Sequence, residues 1–390
     1  MPRIELPISK SIANRLLILQ AIHGDELAGA PTALASWGAL MPVSACGVPD
    51  DARIVGCFNL PEDVQILHRA LTTLKTFRTS ETLSTPHINV GNCGTAMRFL
   101  TAYCAQLNGK TVILDGVERM RHRPIGQLVD ALREIGADIE YLGEEGFPPL
   151  CIKGCILDKD RIITLDNPQS TQFISALLLI GANVQTNSAS PYITLTRKII
   201  ENYLQRVKRA IYSEQSERTT AQRSTMSIAN ELEKDWSSAA FWYEYVALHG
   251  GEITLPGLFR DSLQGDKVVA DIFAHLGVHT IYTDEGIVIS SSPLHPTPYT
   301  LHHDFVACPD LYPAVALTCE RLGIALYATG TESLPIKESD RLRAVREHCT
   351  DHDHRMAMAL LIAGYEVDDT ACISKSYPQF LEQFRQLQYS

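Results

Sequence analysis

Ala131-Leu132-Arg133-Glu134-Ile135-Gly136-Ala137-Asp138-Ile139 reads as the end of a helix, a glycine stop and the start of a strand. Two other stretches share the form. They are Ala176-Leu177-Leu178-Leu179-Ile180-Gly181-Ala182-Asn183-Val184 and Ile272-Phe273-Ala274-His275-Leu276-Gly277-Val278-His279-Thr280. Glycine is the residue that ends a helix in a left-handed turn without steric cost. The recurrence predicts an α/β chain built from a repeated unit rather than one doubly wound sheet.

Around these stretches, the segments that carry charge stand at the starts of expected helices. Residues 4–24 predict strand, tight loop and helix, with Ser9-Lys10-Ser11 at the helix start, Ile12, Leu16 and Leu19 inward and Gly24 as the stop. Arg15 lies one turn beyond Ser11. Amides, a lysine, a hydroxyl and an arginine there suit an anion, though a serine cap with two surface cations fits equally. Gly91-Asn92-Cys93-Gly94-Thr95-Ala96-Met97-Arg98 joins a short strand to a helix, and its glycines allow close backbone approach. It matches neither phosphate-loop nor dinucleotide fingerprint, and Cys93 reads as packed. Arg119-Met120-Arg121-His122-Arg123-Pro124 crowds cations ahead of a helix with Ile125, Leu128, Leu132 and Ile135 inward. Ser170 and Thr171 open another helix, as caps or as phosphate donors. Residues 25–61 give no clear assignment, and the polar stretch 205–234 reads as a connection.

Leu334-Pro335-Ile336-Lys337-Glu338-Ser339-Asp340-Arg341-Leu342-Arg343-Ala344-Val345 scans as a helix entered through a proline. On such a helix Lys337, Glu338 and Arg341 project together. Cations around a carboxylate make a poor core, but they can hold a small anion and move a proton beside it. A solvated charged face is the competing reading. Asp310 stands at the start of a further helix, and Lys375 lies in Ser374-Lys375-Ser376-Tyr377-Pro378.

The totals bound the function. A chain of 390 residues predicts two domains. A formal net charge of -11, with no basic tract, argues against nucleic acid, so a polyanionic ligand needs a local basic pocket. No apolar run predicts a membrane span and no secretory segment stands at the start. Ten scattered cysteines without Cys-x-x-Cys read as reduced thiols of a cytoplasmic protein. Asp351-His352-Asp353-His354 lacks the spacing of a metal site.

Taken in order, Leu6–Arg15, Gly91–Arg98, Arg119–Gly126, Ser170–Phe173, Pro309-Asp310, Ile336–Leu342 and Asp353–Ala357 resemble the enolpyruvyl transferase superfamily. Within it they resemble the 5-enolpyruvylshikimate-3-phosphate synthase family most closely. The resemblance implies a two-domain inside-out α/β barrel, each domain three βαβαββ repeats. Residues 1–11 plus 233–390 would form one domain and 12–232 the other, with the active site in the cleft between them. It implies transfer of the enolpyruvyl group of phosphoenolpyruvate to the 5-hydroxyl of shikimate 3-phosphate, with release of phosphate, on the route to chorismate and aromatic amino acids. It implies no cofactor, no metal and a monomer.

Residue by residue, the resemblance places Lys10, Gly94, Arg123, Gln172, Arg341, Arg355 and Lys375 around phosphoenolpyruvate. It places Lys10, Ser11, Arg15, Ser170, Thr171, Gln172, Asp310 and Lys337 around shikimate 3-phosphate. Asp310 is implied as base and Glu338 as proton donor, with Lys10 near the same transfers. The chain departs from the family at Ile8, where glycine is usual, at Ala189, in the register of a phosphate-binding serine, and at Phe99, where proline is frequent. Between Arg343 and Asp353 the family has a glycine turn and two strands, and here only Ala344–His352 remains, so one repeat is expected to be truncated near 344–352. The competing enzyme reading is the UDP-N-acetylglucosamine enolpyruvyl transferase, whose loop cysteine is missing from Gly116–Arg123. The non-enzyme alternative is a weakened anion-binding relative, which would not need Asp310 and Glu338.

Overall fold

In the computed structural model, Gly136, Gly181 and Gly277 all take left-handed backbone angles (φ 100°, 80° and 96°), each between a helix and a strand. A side chain there would strain the turn, so the recurring glycine punctuates the fold where the sequence places it. The structure describes residues 2–23, 60–79, 85–213, 233–291 and 300–388. Gly24, most of 25–61 and the connection 214–232 lie outside them.

The chain divides into two compact units. One comprises Ser11–Ala189 and Ile193–Leu232, the other Met1–Lys10, Ser190–Tyr192 and Glu233–Ser390. The first holds α1 (Lys10–His23), α2 (Glu62–Thr79), β1 (His87–Asn89), α3 (Gly94–Ala105), β2 (Thr111–Asp115), α4 (Glu118–Arg121), α5 (Gly126–Glu134), β3 (Asp138–Tyr141), β4 (Leu150–Lys153), β5 (Ile162–Thr164), α6 (Thr171–Leu179), β6 (Asn183–Gln185) and α7 (Pro191–Ser213), apart from the residues at the ends of α1 and α7 assigned to the other unit. One β-α-β-α-β-β run is complete. Its sheet has the order β1-β2-β4-β3, with β1 parallel to β2 and β4 antiparallel to β2 and β3. β5 and β6 form only a parallel pair among the described residues.

Two readings of this unit need correction. α7 extends to Ser213, so residues 205–213 are helix rather than connection. α1 buries Ala13, Leu17, Ile18 and Leu19, whereas Ile12 and Leu16 are half-buried. Arg15 claims space on the buried side, which rotates the apolar face away from Ile12. α5 behaves as expected, with Ile125, Leu128, Leu132 and Ile135 all buried.

The second unit contains α8 (Trp236–His249), β7 (Glu252–Pro256), α9 (Val269–His275), β8 (Val278–Thr283), β9 (Gly286–Ser291), β10 (Thr300–Asp304), α10 (Tyr312–Leu322), β11 (Ala325–Thr329), α11 (Arg341–Glu347), α12 (His354–Ile362) and α13 (Phe380–Gln388). β7, β9 and β8 form an antiparallel sheet, and Arg3 bridges Thr254 of β7 in parallel. β10 and β11 again form a lone parallel pair among the described residues. α8 packs on α10 and α12. It is apolar nearly all round, burying Trp236, Phe241, Trp242, Tyr243 and Val246. Each such side chain contributes about 1.5–3 kcal/mol on burial, so this helix is the unit's anchor.

The stretch 334–345 is not one helix. A 3-10 turn at Leu334–Ile336 is followed by a bent connector, and α11 begins only at Arg341 with Asp340 as its cap. The Asp340 carboxylate accepts from the Arg343 amide at 3.1 Å, and that cap competes with continuing the helix backwards. Between α11 and α12 no strand intervenes. His348, Asp351 and His352 take left-handed angles there (φ 51°, 47° and 59°), which folds the short link back on itself.

Candidate active site

In the unit formed by the chain's second half, charge gathers around Asp310, which sits in the 3-10 turn entering α10. Its Oδ1 lies 2.7 Å from Arg341 Nη1 and 3.6 Å from Lys337 Nζ, and its Oδ2 lies 3.0 Å from Arg355 Nη2. Burial pushes this carboxyl up, but Arg355, Lys337 and Arg341 together outweigh burial and hold it well below the usual carboxylate range. Glu338 lies beside it, with Oε2 3.0 Å from Arg341 Nη2 and Oε1 3.6 Å from Lys375 Nζ. Burial pulls Lys337 down from the ordinary lysine value, although Asp310 opposes that shift.

Arg341 is the hub. Its side chain is fully buried and its Nε donates to Asp353 Oδ2 at 2.8 Å. Three carboxylates on one guanidinium satisfy it in the plane of its fork. Asp353 also accepts from Ser339 Oγ at 3.2 Å and from the Arg355 amide at 2.9 Å, so it caps α12. Neighbouring His354 stays neutral: burial, then Arg355, Lys375 and Lys10, hold it well below its usual value. Its Nε2 takes a hydrogen bond from Arg355 Nη1 at 2.7 Å. Asp266 is a further buried carboxyl, pushed up to about 7 by burial and then by Asp310, while it accepts from Ser237 Oγ.

Lys10 reaches the same region electrostatically, since it acts on both Asp235 and His354. Its approach is fixed by Gln264. That side chain accepts from Ser9 Oγ at 2.9 Å and donates to the Lys234 carbonyl at 2.8 Å. Ile8, at the position where glycine was expected, pairs with Lys234 in an antiparallel bridge, so the loop is extended there and accepts a branched side chain.

The other unit has its own cation group. A Cβ at Gly94 would collide with Arg98 Nη1 and would meet Arg123 Nη1 at 2.7 Å. Only a glycine lets two guanidinium groups lie against the start of α3. Gln172 joins them: Arg98 Nη1 donates to its Oε1 at 3.3 Å and its Nε2 donates to Thr95 Oγ1 at 3.0 Å. Arg123 Nε and Nη1 are buried without a hydrogen-bond partner among the described residues. Such donors, beside a helix N-terminus, suit an anion.

Arg15 is buried apart from that group, held by Thr196 Oγ1 (2.7 Å), the Ser11 carbonyl (2.8 Å) and Ser175 Oγ (3.1 Å). Phe99 lies under it, with 5.5 Å from guanidinium to ring centre. Ser170 caps α6 by accepting from the Gln172 amide at 3.4 Å, and Thr171 is the first residue of that helix. Ala189 stands in the register of the expected serine, and its neighbour Ser190 accepts from the Tyr192 amide at 3.3 Å, as a turn into α7.

The contacts therefore join Asp310, Lys337, Glu338, Arg341, Arg355 and Lys375 in one unit, and Gly94, Arg123 and Gln172 in the other. Sequence reasoning did not assign Arg98 or Asp353. Arg98 stands four residues after Gly94, one helical turn on, and that spacing was a usable signal. Asp353 meets Arg341 across twelve residues, with no local pattern to reveal it.

A family model described as EPSP synthase (3-phosphoshikimate 1-carboxyvinyltransferase) matches residues 56–350 and 345–384. The chain belongs to the EPSP synthase family. A relative from Bacteroides fragilis named 3-phosphoshikimate 1-carboxyvinyltransferase is 35% identical, covering 98% of this chain and 94% of its own length. One of the same name from Colwellia psychrerythraea is 29% identical over 98% of this chain and 96% of its own. The EPSP synthase structure from Acinetobacter baumannii shares the fold, with a TM-score of 0.57 at 19% identity, covering 98% of this chain and 95% of that one.

Proposed function

We propose that the chain transfers the enolpyruvyl group of phosphoenolpyruvate to the 5-hydroxyl of shikimate 3-phosphate, releasing inorganic phosphate. The observation that carries this reading is the pair Asp310 and Glu338 joined through Arg341, with Lys337, Arg355 and Lys375 around them. A binder of small anions needs the cations. It has no use for two carboxylates that offset their charge. A transferase has, because a proton must leave the hydroxyl and another must reach the enol carbon.

Glu338 donates the proton to C3 of phosphoenolpyruvate while the 5-hydroxyl oxygen bonds to C2. The adduct then expels phosphate and returns a C3 proton, leaving the vinyl ether. Asp310 accepts the hydroxyl proton. In the free protein the surrounding cations make it a weak base, but substrate phosphate and carboxylate groups offset those cations and raise its proton affinity. Lys10 completes the proton-transfer group.

Lys10, Arg341, Arg355 and Lys375, with Gly94, Arg123 and Gln172, hold phosphoenolpyruvate. Lys10, Ser11, Arg15, Ser170, Thr171, Gln172, Asp310 and Lys337 hold shikimate 3-phosphate. The domains that go with this reading are residues 1–11 plus 233–390 and residues 12–232. Each domain is an inside-out arrangement of β-α-β-α-β-β repeats. The complete run β1 to β4 and the all-round burial of α8 support that arrangement. Among the described residues, the parallel pairs β5–β6 and β10–β11 stand without the final two strands of a repeat.

Phosphate release tests the reading. Release is expected only with phosphoenolpyruvate and shikimate 3-phosphate together. Release with UDP-N-acetylglucosamine as acceptor, or none with either acceptor, overturns it.

A further inference from the structure

The link between α11 and α12 is short, and three of its non-glycine residues are left-handed. Each such residue costs on the order of 1–2 kcal/mol, so the link needs fastening. Arg343 pairs with Asp351. His348 stacks on Tyr365 with 4.0 Å between ring centres and bonds Glu320 at 2.8 Å. Thr350 Oγ1 donates to Asp368 Oδ1 at 2.6 Å. His352 Nδ1 lies 2.6 Å from Asp369 Oδ2.

Asp369 works in two directions. Its other oxygen accepts from the amides of Ala371 (2.9 Å) and Cys372 (3.3 Å), opening the 3-10 turn Ala371–Lys375. That turn carries Lys375. His352 immediately precedes Asp353, which caps α12 and receives Arg341. The contacts close a ring: Asp353 to Arg341, Arg341 to Glu338, Glu338 to Lys375, then back through the 3-10 turn, Asp369 and His352 to Asp353. Every other step lies in the charged cluster or along the backbone. The Asp369–His352 pair fastens the far side, next to the Thr350–Asp368 hydrogen bond.

We propose that Asp369, through His352, is a positioning residue that holds Lys375 and Arg355 in register around Glu338. It takes the place of the two strands that the EPSP synthase pattern has between these helices. The inference rests on the proposed function. The groups facing His352 are Asp351 in its own link and Asp368 and Asp369 ahead of the 3-10 turn, all carboxylates. Asp369 foremost raises the imidazole above its ordinary value. The pair's contribution is therefore full below about pH 6.5 and is lost as pH rises through the raised value.

The test compares wild type with His352→Asn, a residue tolerant of left-handed angles, and with Asp369→Asn. Both variants are expected to raise KM for phosphoenolpyruvate roughly threefold to fivefold at pH 6, the scale of an exposed ion pair, with KM for shikimate 3-phosphate unchanged. The wild-type to His352→Asn ratio of kcat/KM should fall to one as pH rises to about 8.5. A flat ratio, or a lowered melting temperature with both KM values unmoved, overturns the proposal. An inactive wild type overturns the proposed function instead. In that case the His352 imidazole titration still decides the link: its pKa should drop in Asp369→Asn, and no change refutes the pairing.

Discussion

Under the proposed function Glu338 serves the chemistry and Arg341 the binding, and substitutions should separate them. Glu338→Gln keeps the shape and one acceptor for Arg341 but cannot protonate carbon, so turnover should collapse while substrate affinity, read by calorimetry, stays near wild type. Arg341→Ala is a poor probe, since it leaves the buried Asp353 without its guanidinium partner, takes a cation from Asp310 and from Glu338, and costs about 3–5 kcal/mol of stability. Arg341→Lys keeps the charge and loses the fork. With charge-assisted bonds contributing about 1.5–3 kcal/mol each, KM for phosphoenolpyruvate should rise roughly tenfold to a hundredfold, and an unchanged KM would remove Arg341 from that site. The charged cluster around them was legible in the sequence only in part. The stretch 337–341 announced the charge, but its geometry comes from Asp353 and from the Asp340 cap, which no spacing rule reveals.

α8 shows how an element can bury what its composition argues against. Glu244 sits in it fully buried, its carboxylate oxygens without hydrogen-bond partners among the described residues, and burial pushes its carboxyl well above the usual range. Above about pH 4.3 the unfolded chain ionises this group and the folded chain does not. The folded state then binds more protons, and stability falls as pH rises. Glu244→Gln should therefore gain stability relative to wild type between pH 5 and pH 8 in denaturant unfolding. A constant difference across that range contradicts the burial argument. The helix–glycine–strand joints were the most legible elements, because backbone angle is a property of one residue. Gly136→Ala, at φ 100°, should cost about 1–2 kcal/mol without altering kinetics, measurable in the same unfolding series. The single helix expected over 334–345 failed for the opposite reason: Asp340 caps a new start, and tertiary pairing of Lys337 and Glu338 overrides periodicity.

The two-unit organisation was legible from length and motif order. The missing strands between α11 and α12 were legible as well, since only Ala344–His352 separates the two motifs there; that β5 and β6 stand as a lone pair among the described residues was not. If Gly94, Arg123 and the cluster across 337–355 all hold substrate, adding both substrates should slow amide exchange around each of them. Unchanged exchange around either group would contradict that assignment. The central claim is that Glu338 protonates the enol carbon of phosphoenolpyruvate. Its most direct test is deuterium entry at C3 in heavy water with both substrates present. Wild type should incorporate deuterium and Glu338→Gln, with substrates bound, should not; undiminished incorporation in that variant would contradict the account.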